Sequence, residues 1–275
     1  MTIIVGVICK EGIVLGCDSQ ASSVKGVPLK RTEYTKIYKI ELRGNGSALL
    51  SGAGTGAFIT RASEILEDKC KNTVCSSCRE FANICEDVVT EIFKRYVVDK
   101  GKALGMSKAT LNHQETSNFQ WQDDALEPPG VWMLTGVYCG GQNPEWCLYS
   151  VHPSSIAEKA DKYDAIGSGS AIAEYLLPRL WSDKLTLDQA VKIVVYVVEE
   201  VKKIDPFCGG PTQIMTLSKS GAKRLSPREV KKIVDEVMET DEDLADIWRD
   251  LILGTEKPPV KAKAKRNKAV DKTTT

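Results

Sequence analysis

Predicted strand pairs alternate with predicted helices along this chain of 275 residues, and this order constrains the fold more than any other feature. The β-branched run at 2–9, the turn Lys10-Glu11-Gly12 and the apolar residues 13–17 predict a first hairpin. The later elements are a hairpin at 34–51, two helices within 57–98 interrupted near Asn72, a hairpin at 131–153, helices at 171–180 and 188–203, a strand at 211–221 and a helix at 226–253. A parallel doubly wound sheet would place a helix after each single strand, whereas here the helices follow hairpins. The pattern therefore predicts an α+β protein with two antiparallel sheets and helices on both outer faces.

Charge and hydropathy divide the chain into a domain and a tail. Residues 1–255 are expected to form the domain, with a polar surface-loop insertion at about 99–130, and residues 256–275 a disordered basic tail. The 37 basic and 37 acidic residues balance, so no net field would attract nucleic acid or a membrane surface. Only the tail favours nucleic-acid binding. With no long apolar segment and no leader, we expect a cytoplasmic protein without a membrane partner.

The cysteines and histidines limit the chemistry that the chain can perform. Most of the nine cysteines lie in apolar segments, which indicates reduced core thiols. The two histidines, His113 and His152, offer few candidates for a histidine base. Cys75 and Cys78 have the spacing of a zinc ligand pair, with Cys70 and Cys85 nearby, but the spacing of these cysteines fits one face of a helix equally well. We expect neither a metal nor another cofactor.

Thr2 is the first candidate for a catalytic residue. If the turn at 10–12 is a three-residue loop, Cys9 lies opposite Ile13, and Asp18 shares a sheet face with Thr2. A two-residue turn would reverse that face. A threonine that begins a chain can attack with its hydroxyl while its own α-amino group, of pKa about 7.7–8.0, accepts the proton. Alternatively, Thr2 is only the residue that follows the initiator methionine.

Several further segments occur in the order typical of one enzyme family. They are Asp18-Ser19 after the second strand, Lys36 in "TKIYKI", Ser51-Gly52 after "ALL", "AIGSGSA" at 165–171 and "IDPFCGG" at 204–210. Together with Thr2 and the Gly12 turn, they resemble proteasome β-type subunits, which are N-terminal-nucleophile hydrolases. The resemblance covers nearly all of residues 2–255 apart from the 99–130 loop. It implies a four-layer αββα sandwich.

The resemblance also assigns roles to individual residues. Thr2 matches the nucleophile, which is free once Met1 is removed, and Lys36 matches the lysine that lowers the pKa of the amine. Asp18 matches the acid that orients this lysine. The backbone N–H of Gly52 matches the oxyanion donor. Without the resemblance, the sequence would predict that Lys36 is a solvated charge at the edge of a strand, and that Asp18 and Gly52 are ordinary turn residues.

A second group of residues matches positions around the threonine amine and the substrate. Ser168 and Asp205 match a serine and an acid beside the amine. By itself, Gly167-Ser168-Gly169 before a helix could also suggest a phosphate-binding loop, but the third glycine of such a loop is missing. Many family members have a serine where this chain has Cys208, which is a weaker hydrogen-bond partner. The positions of the first specificity pocket correspond to Ala21, Leu50 and Gly54, and they suggest room for a large apolar side chain.

The implied activity is a threonine-type endopeptidase that cleaves peptide bonds of peptides or unfolded proteins through an acyl-enzyme on Thr2. A homo-oligomeric ring and an unfoldase partner are further implications. Two alternatives stay open. One is a related amidase or transpeptidase, in which an amine resolves the acyl-enzyme, and the other is a non-catalytic ring subunit. The family's inactive α-type subunits carry a helical extension before the first strand. This sequence shows none, so we expect an active subunit.

Overall fold

A computed structural model describes residues 2–20, 34–44, 46–99, 130–140, 144–153 and 156–254. The strands are β1 Ile3–Cys9, β2 Gly12–Cys17, β3 Ile37–Leu42, β4 Gly46–Gly54, β5 Val131–Cys139, β6 Glu145–Val151, β7 Ala157–Ala160, β8 Tyr163–Gly167, β9 Gln213–Ser218 and β10 Gly221–Arg224. The helices are α1 Gly56–Asn72, α2 Cys78–Phe93 with a π-helical turn at Lys94–Val98, α3 Ser170–Leu180, α4 Leu187–Ile204 and α5 Pro227–Leu253. The predicted loop insertion and basic tail lie almost entirely outside the described residues.

Two five-stranded antiparallel sheets are formed, as the alternation of hairpins and helices predicts. Sheet A has the strand order β10-β9-β2-β1-β8, and sheet B has the order β3-β4-β5-β6-β7. The short strands β7, β8 and β10 were not predicted. Their sequences AEKA, YDAIG and GAKR contain few β-branched residues, so they are strands because they pair with neighbours at the sheet edges.

The register of the first hairpin differs from the expectation. Cys9 lies opposite Gly12 and Ile8 opposite Ile13, so the turn contains two residues, Lys10 and Glu11. Gly12 belongs to β2 and not to the loop. The predicted pairing of Cys9 with Ile13 is therefore wrong by one residue, and the consequence for Asp18 is described below.

Three apolar layers hold the two sheets and the helices together. Ile4, Leu15 and Leu134 belong to the layer between the sheets. Sheet B packs on its other face against α1 and α2 through residues such as Leu50 and Phe81. Sheet A packs against α3, α4 and the beginning of α5, mainly through the valines of α4 and Ile214, Ala173 and Val230. The result is the predicted four-layer αββα sandwich.

Local sequence signals fix the helix starts. Ser77 caps α2 by accepting a hydrogen bond from the Glu80 N–H. Thr186 and Gln189 form a capping box at the start of α4, which satisfies two backbone donors that otherwise have no helical partner. Such caps contribute about 1 kcal/mol each.

The chain divides into two compact units, Met1–Val237 and Met238–Thr275. The first contains both sheets. The described part of the second is the C-terminal portion of α5, where Leu244, Ile247, Trp248 and Leu251 are exposed. Among the described residues, no helix is both long enough and apolar enough to cross a bilayer.

Candidate active site

Thr2, Asp18 and Lys36 form a buried hydrogen-bonded centre. The Lys36 ammonium donates to Thr2 Oγ1 at 2.5 Å and to Asp18 Oδ1 at 2.8 Å. The Thr2 hydroxyl donates to the same carboxylate oxygen. The three residues are 4%, 0% and 6% exposed. A hydroxyl, a cation and an anion are thus in direct contact where solvent screening is weak.

The three residues come from three strand ends. Thr2 immediately precedes β1, Asp18 follows the last residue of β2, and Lys36 precedes β3. Asp18 lies opposite Ile3, because the turn is one residue shorter than the expected loop. Since Asp18 lies beyond the end of β2, the strand pleat does not fix the direction of its side chain. It therefore reaches Thr2 although the predicted register was wrong.

Five donors hold the Asp18 carboxylate. Oδ1 accepts hydrogen bonds from Thr2, from Lys36 and from the Ile3 N–H at 3.1 Å. Oδ2 accepts from the N–H groups of Gln20 and Gly209, each at 3.1 Å. Gly209 belongs to "IDPFCGG", and its carbonyl oxygen in turn accepts from the Ser19 and Gln20 N–H groups. The loop thus fixes the acid through backbone bonds that sequence analysis did not predict.

The backbone around Lys36 is fixed from two other strands. The amide of Gln213, in β9, accepts from the Lys36 N–H at 3.1 Å and donates to Tyr34 O at 2.6 Å. The Ser51 hydroxyl donates to Lys36 O at 2.8 Å. Gln213 was not predicted as part of the site, because nothing in its local sequence distinguishes it from an ordinary strand residue.

Ser168, Asp205 and Cys208 form a second cluster on the carbonyl side of Thr2. The Ser168 hydroxyl lies 2.8 Å from Asp205 Oδ2 and 3.4 Å from Thr2 O. The Cys208 thiol donates to the same Asp205 oxygen at 3.3 Å. All three residues thus lie together beside Thr2.

The cluster shifts the acidities of its members in opposite directions. Burial raises the pKa of the Cys208 thiol to about 12, helped by the nearby charge of Asp18 and the hydrogen bond to Asp205. Burial also acts to raise the pKa of Asp205. Hydrogen bonds from the Phe207 N–H, Ser168 and Cys208 outweigh it, so this pKa lies below its ordinary value. The thiol is therefore neutral at physiological pH and unsuited to act as a nucleophile.

The predicted substrate-binding residues have different surroundings. Gly54 and Thr2 line one cavity of about 520 Å³, together with residues of β5, β6 and β8. Leu50 is fully buried between sheet B and its helices and does not line this cavity. Ala21 lies outside the described residues. Gly52, the predicted oxyanion donor, lies in β4. Since its neighbour Ser51 lies opposite Ile37, Gly52 lies opposite Lys36.

A close backbone approach holds Gly167 against Thr2. Gly167 has φ +104°, and a Cβ atom there would lie 2.1 Å from Thr2 O. Only glycine tolerates both the dihedral angle and the contact. Gly167-Ser168-Gly169 is therefore packed on the Thr2 backbone, an arrangement that gives a phosphate cradle no support.

The cysteines considered for zinc do not form one group. Cys70 lies near Cys75, and Cys85 is enclosed in the core. Cys78 instead lies near Cys139 and Cys147, which are distant in sequence. Spacing along the chain thus did not identify which thiols meet.

Comparisons with known proteins agree on one family. Residues 82–217 match the family described as Proteasome subunit. Proteasome subunit beta 1 of Thermococcus sibiricus is 29% identical over 235 residues, which cover 85% of this chain and 94% of the relative. Proteasome subunit beta of Nanoarchaeum equitans is 26% identical, with 82% and 97% covered.

Solved structures share the fold at lower identity. Anbu (ancestral beta-subunit) from Yersinia bercovieri is 17% identical with a TM-score of 0.66, and covers 94% of this chain and 99% of its own. A Gly-1 mutant of Anbu from Hyphomicrobium sp. strain MC1 is 14% identical with a TM-score of 0.65, over 94% and 100%. The family match and the archaeal relatives support the proteasome β-type subunit family for this chain, and the solved structures share its fold.

Proposed function

We propose that the protein is a threonine-type endopeptidase whose nucleophile is Thr2 Oγ1. The observation that carries the proposal is the buried contact of this oxygen with both Lys36 and Asp18. Catalysis requires that the peptide bond before Thr2 be cleaved, since the free α-amino group is the base that the mechanism needs.

The chemistry takes place in two stages. In the first, Thr2 Oγ1 attacks the substrate carbonyl carbon, and its proton passes to the Thr2 amine. The C–N bond of the substrate breaks, the leaving amine takes up this proton, and an ester to Thr2 is left. In the second stage, water attacks the ester carbon, and the same amine accepts the proton of the water and returns it to Oγ1. No histidine is needed.

Lys36 and Asp18 make this hydroxyl a better nucleophile. The ammonium 2.5 Å from Oγ1 stabilises the negative charge that develops there during attack. Asp18 holds the ammonium in place at 2.8 Å, and its other hydrogen bonds leave it little freedom to rotate. Because these groups are oriented before substrate binds, no reorganisation is required during the reaction.

Ser168, Asp205 and Cys208 have a supporting role in the proposal. They are placed to orient the Thr2 amine through the Ser168 hydroxyl, which already contacts Thr2 O. Cys208 replaces the more usual serine, and its neutral thiol donates to Asp205. A weaker donor at this position leaves Asp205 more dependent on Ser168.

The proposals on substrate and assembly rest on the similarity to proteasome β-type subunits. An extended peptide is proposed to add a strand beside Gly52 and Gly54, with the Gly52 N–H as the oxyanion donor, and Ala21, Leu50 and Gly54 shaping the first specificity pocket. Since Leu50 is buried, it would shape that pocket from behind. The proposal includes a homo-oligomeric ring, a cytoplasmic location, and unfolded proteins delivered by an unfoldase.

Peptide turnover tests the proposal. Protein whose intact mass shows a free Thr2 is incubated with fluorogenic peptide amides and with casein, beside T2A, T2S and the control T90A, whose hydroxyl lies on the exposed side of α2. We expect turnover by the parent and by T90A, a reduced rate for T2S and none for T2A. Equal turnover by T2A would overturn the proposal, and no turnover by any form would indicate a structural ring subunit. New amide products formed with an added amine would indicate a transpeptidase.

A further inference from the structure

A second cluster of reactive side chains lies where α2 meets the hairpin β5–β6. The thiols of Cys78 and Cys147 and a carboxylate oxygen of Glu145 all lie within 4.8 Å of one another. Both thiols are fully buried, whereas Glu145 is exposed. Among the described residues, no other group of three His, Cys, Asp or Glu side chains comes this close together.

The sheet register explains why these side chains meet. Cys139 in β5 lies opposite Glu145 in β6, so both side chains are on the same face of sheet B. Cys147 is two residues further along β6 and shares that face, which packs against α2. Cys78, in the first turn of α2, lies near the Cys139 thiol and approaches Glu145 O at 3.5 Å. Three thiols and one carboxylate therefore converge from three elements.

We propose that Cys78, Cys147, Glu145 and Cys139 form a binding site for a soft divalent cation of the zinc class. Two thiolates and a carboxylate supply three ligands, and Cys139, whose thiol lies near Cys78, is proposed for the fourth position. Thiolate-rich, four-coordinate sites select Zn²⁺ over Mg²⁺ or Ca²⁺, which prefer six or more oxygen ligands. The exposed Glu145 side chain provides the route by which the ion enters.

Binding is an exchange of protons for the metal. Each coordinating thiol loses its proton to solvent, so two protons are released with Cys78 and Cys147 and a third with Cys139. No oxidant is involved. The Lys159 ammonium, which lies 2.8 Å from Glu145 Oε1, offsets part of the negative charge of the four ligands. In the free protein it also competes with the metal for that carboxylate.

The site is independent of the proposed peptidase activity. It shares no residue with the Thr2 centre, and its side chains lie between α2 and the face of sheet B that packs against it. A metal here would link the start of α2 to β5 and β6. Its expected effect is therefore on the stability of this layer.

Metal binding by the full-length, reduced and chelator-treated protein tests the inference. Zn²⁺ is titrated in competition with a chromophoric chelator, and Co²⁺ is added separately because thiolate coordination gives it charge-transfer bands. We expect one equivalent per chain, intense Co²⁺ bands, proton release, and no competition from excess Mg²⁺. The C147S variant should lose at least about 100-fold in affinity, and E145Q about 10- to 100-fold.

Two controls keep the test decisive. C75S removes a thiol outside the cluster and should bind as the parent does. K159M removes the competing ammonium without touching the ligands, and should change Zn²⁺ affinity even if C147S fails to fold. The inference is overturned if the parent binds no stoichiometric Zn²⁺, or if E145Q, K159M and C75S all bind it as the parent does.

Discussion

Lys36 Nζ lies 2.5 Å from Thr2 Oγ1 in a region that solvent scarcely reaches. At this distance in a weakly screened site, the ammonium acts directly on charge that develops on the hydroxyl oxygen. Lys36 is also the cation that balances Asp18, so one side chain serves both the electrostatics of attack and the stability of the site.

Replacement of Lys36 by methionine should abolish most of the activity while keeping the shape of the side chain. We expect kcat for a peptide amide to fall about 10²- to 10³-fold, the usual loss when one electrostatic stabiliser is removed. Lys39, in the strand β3 that follows Lys36, pairs with exposed Glu41, so K39M serves as the control and should retain parental kcat. Equal losses in the two variants would contradict a specific role for Lys36.

Asp18→Asn should destabilise the protein as well as inactivate it. The carboxylate accepts from Lys36 on one oxygen and from the Gln20 and Gly209 N–H groups on the other, whereas an amide has only one acceptor oxygen. Breaking such a buried pair costs about 3–5 kcal/mol. Urea unfolding measures this loss, with D161N at an exposed position as the control. An unfolding free energy within about 1 kcal/mol of the parent would show that Asp18 is not held as described.

Two glycines have nearly the same φ angle, but only one of them contacts the nucleophile. Alanine variants at both positions therefore distinguish the effect of backbone strain from the effect of displacing Thr2. Gly167 has φ +104°, and a Cβ atom added there would lie 2.1 Å from Thr2 O, whereas Gly221 has φ +102° with open space around it. Both alanine variants should lose about 1–2 kcal/mol of stability from the dihedral angle. Only G167A should also lose peptidase activity, because it pushes the Thr2 backbone. Comparable kcat values in G167A and G221A would argue against this positioning.

Cys208 should be dispensable as a nucleophile. Burial, followed by the charge of Asp18 and the bond to Asp205, raises the pKa of its thiol to about 12. The thiolate is lost as pH falls below that value, so at pH 8 only roughly one molecule in 10⁴ carries it. Iodoacetamide at pH 8 should therefore leave peptide turnover unchanged, and C208S should remain active. Parallel loss of activity and alkylation of Cys208 would contradict this assignment.

The sequence predicts most of the layer architecture. Apolar and β-branched runs such as 2–9, Gly-containing turns and amphipathic helices such as α4 are local signals, and they were sufficient to predict two antiparallel sheets between helix layers. The strands β7, β8 and β10 were missed because pairing at the sheet edges, and not residue type, makes them strands. The first hairpin was placed one residue out of register because Gly12 was assigned to the turn.

Parts of the site could not be predicted in the same way. The candidate residues Thr2, Asp18 and Lys36 came from the order of motifs, but their contact depends on three strand ends that meet only in the folded sheet. The backbone N–H of Gly209 on Asp18 and the amide of Gln213 on Lys36 span 191 and 177 residues. Bonds over such separations leave no local pattern in the sequence.

Trapping the covalent intermediate tests the central claim most directly. Protein with a free Thr2 is mixed with an N-blocked peptidyl activated ester, quenched in acid and measured by intact mass and peptide mapping. We predict a mass increase of one acyl group, located on Thr2 and absent from T2A. Rapid turnover of the ester with the acyl group on another residue, or an unchanged adduct in T2A, would contradict catalysis by Thr2.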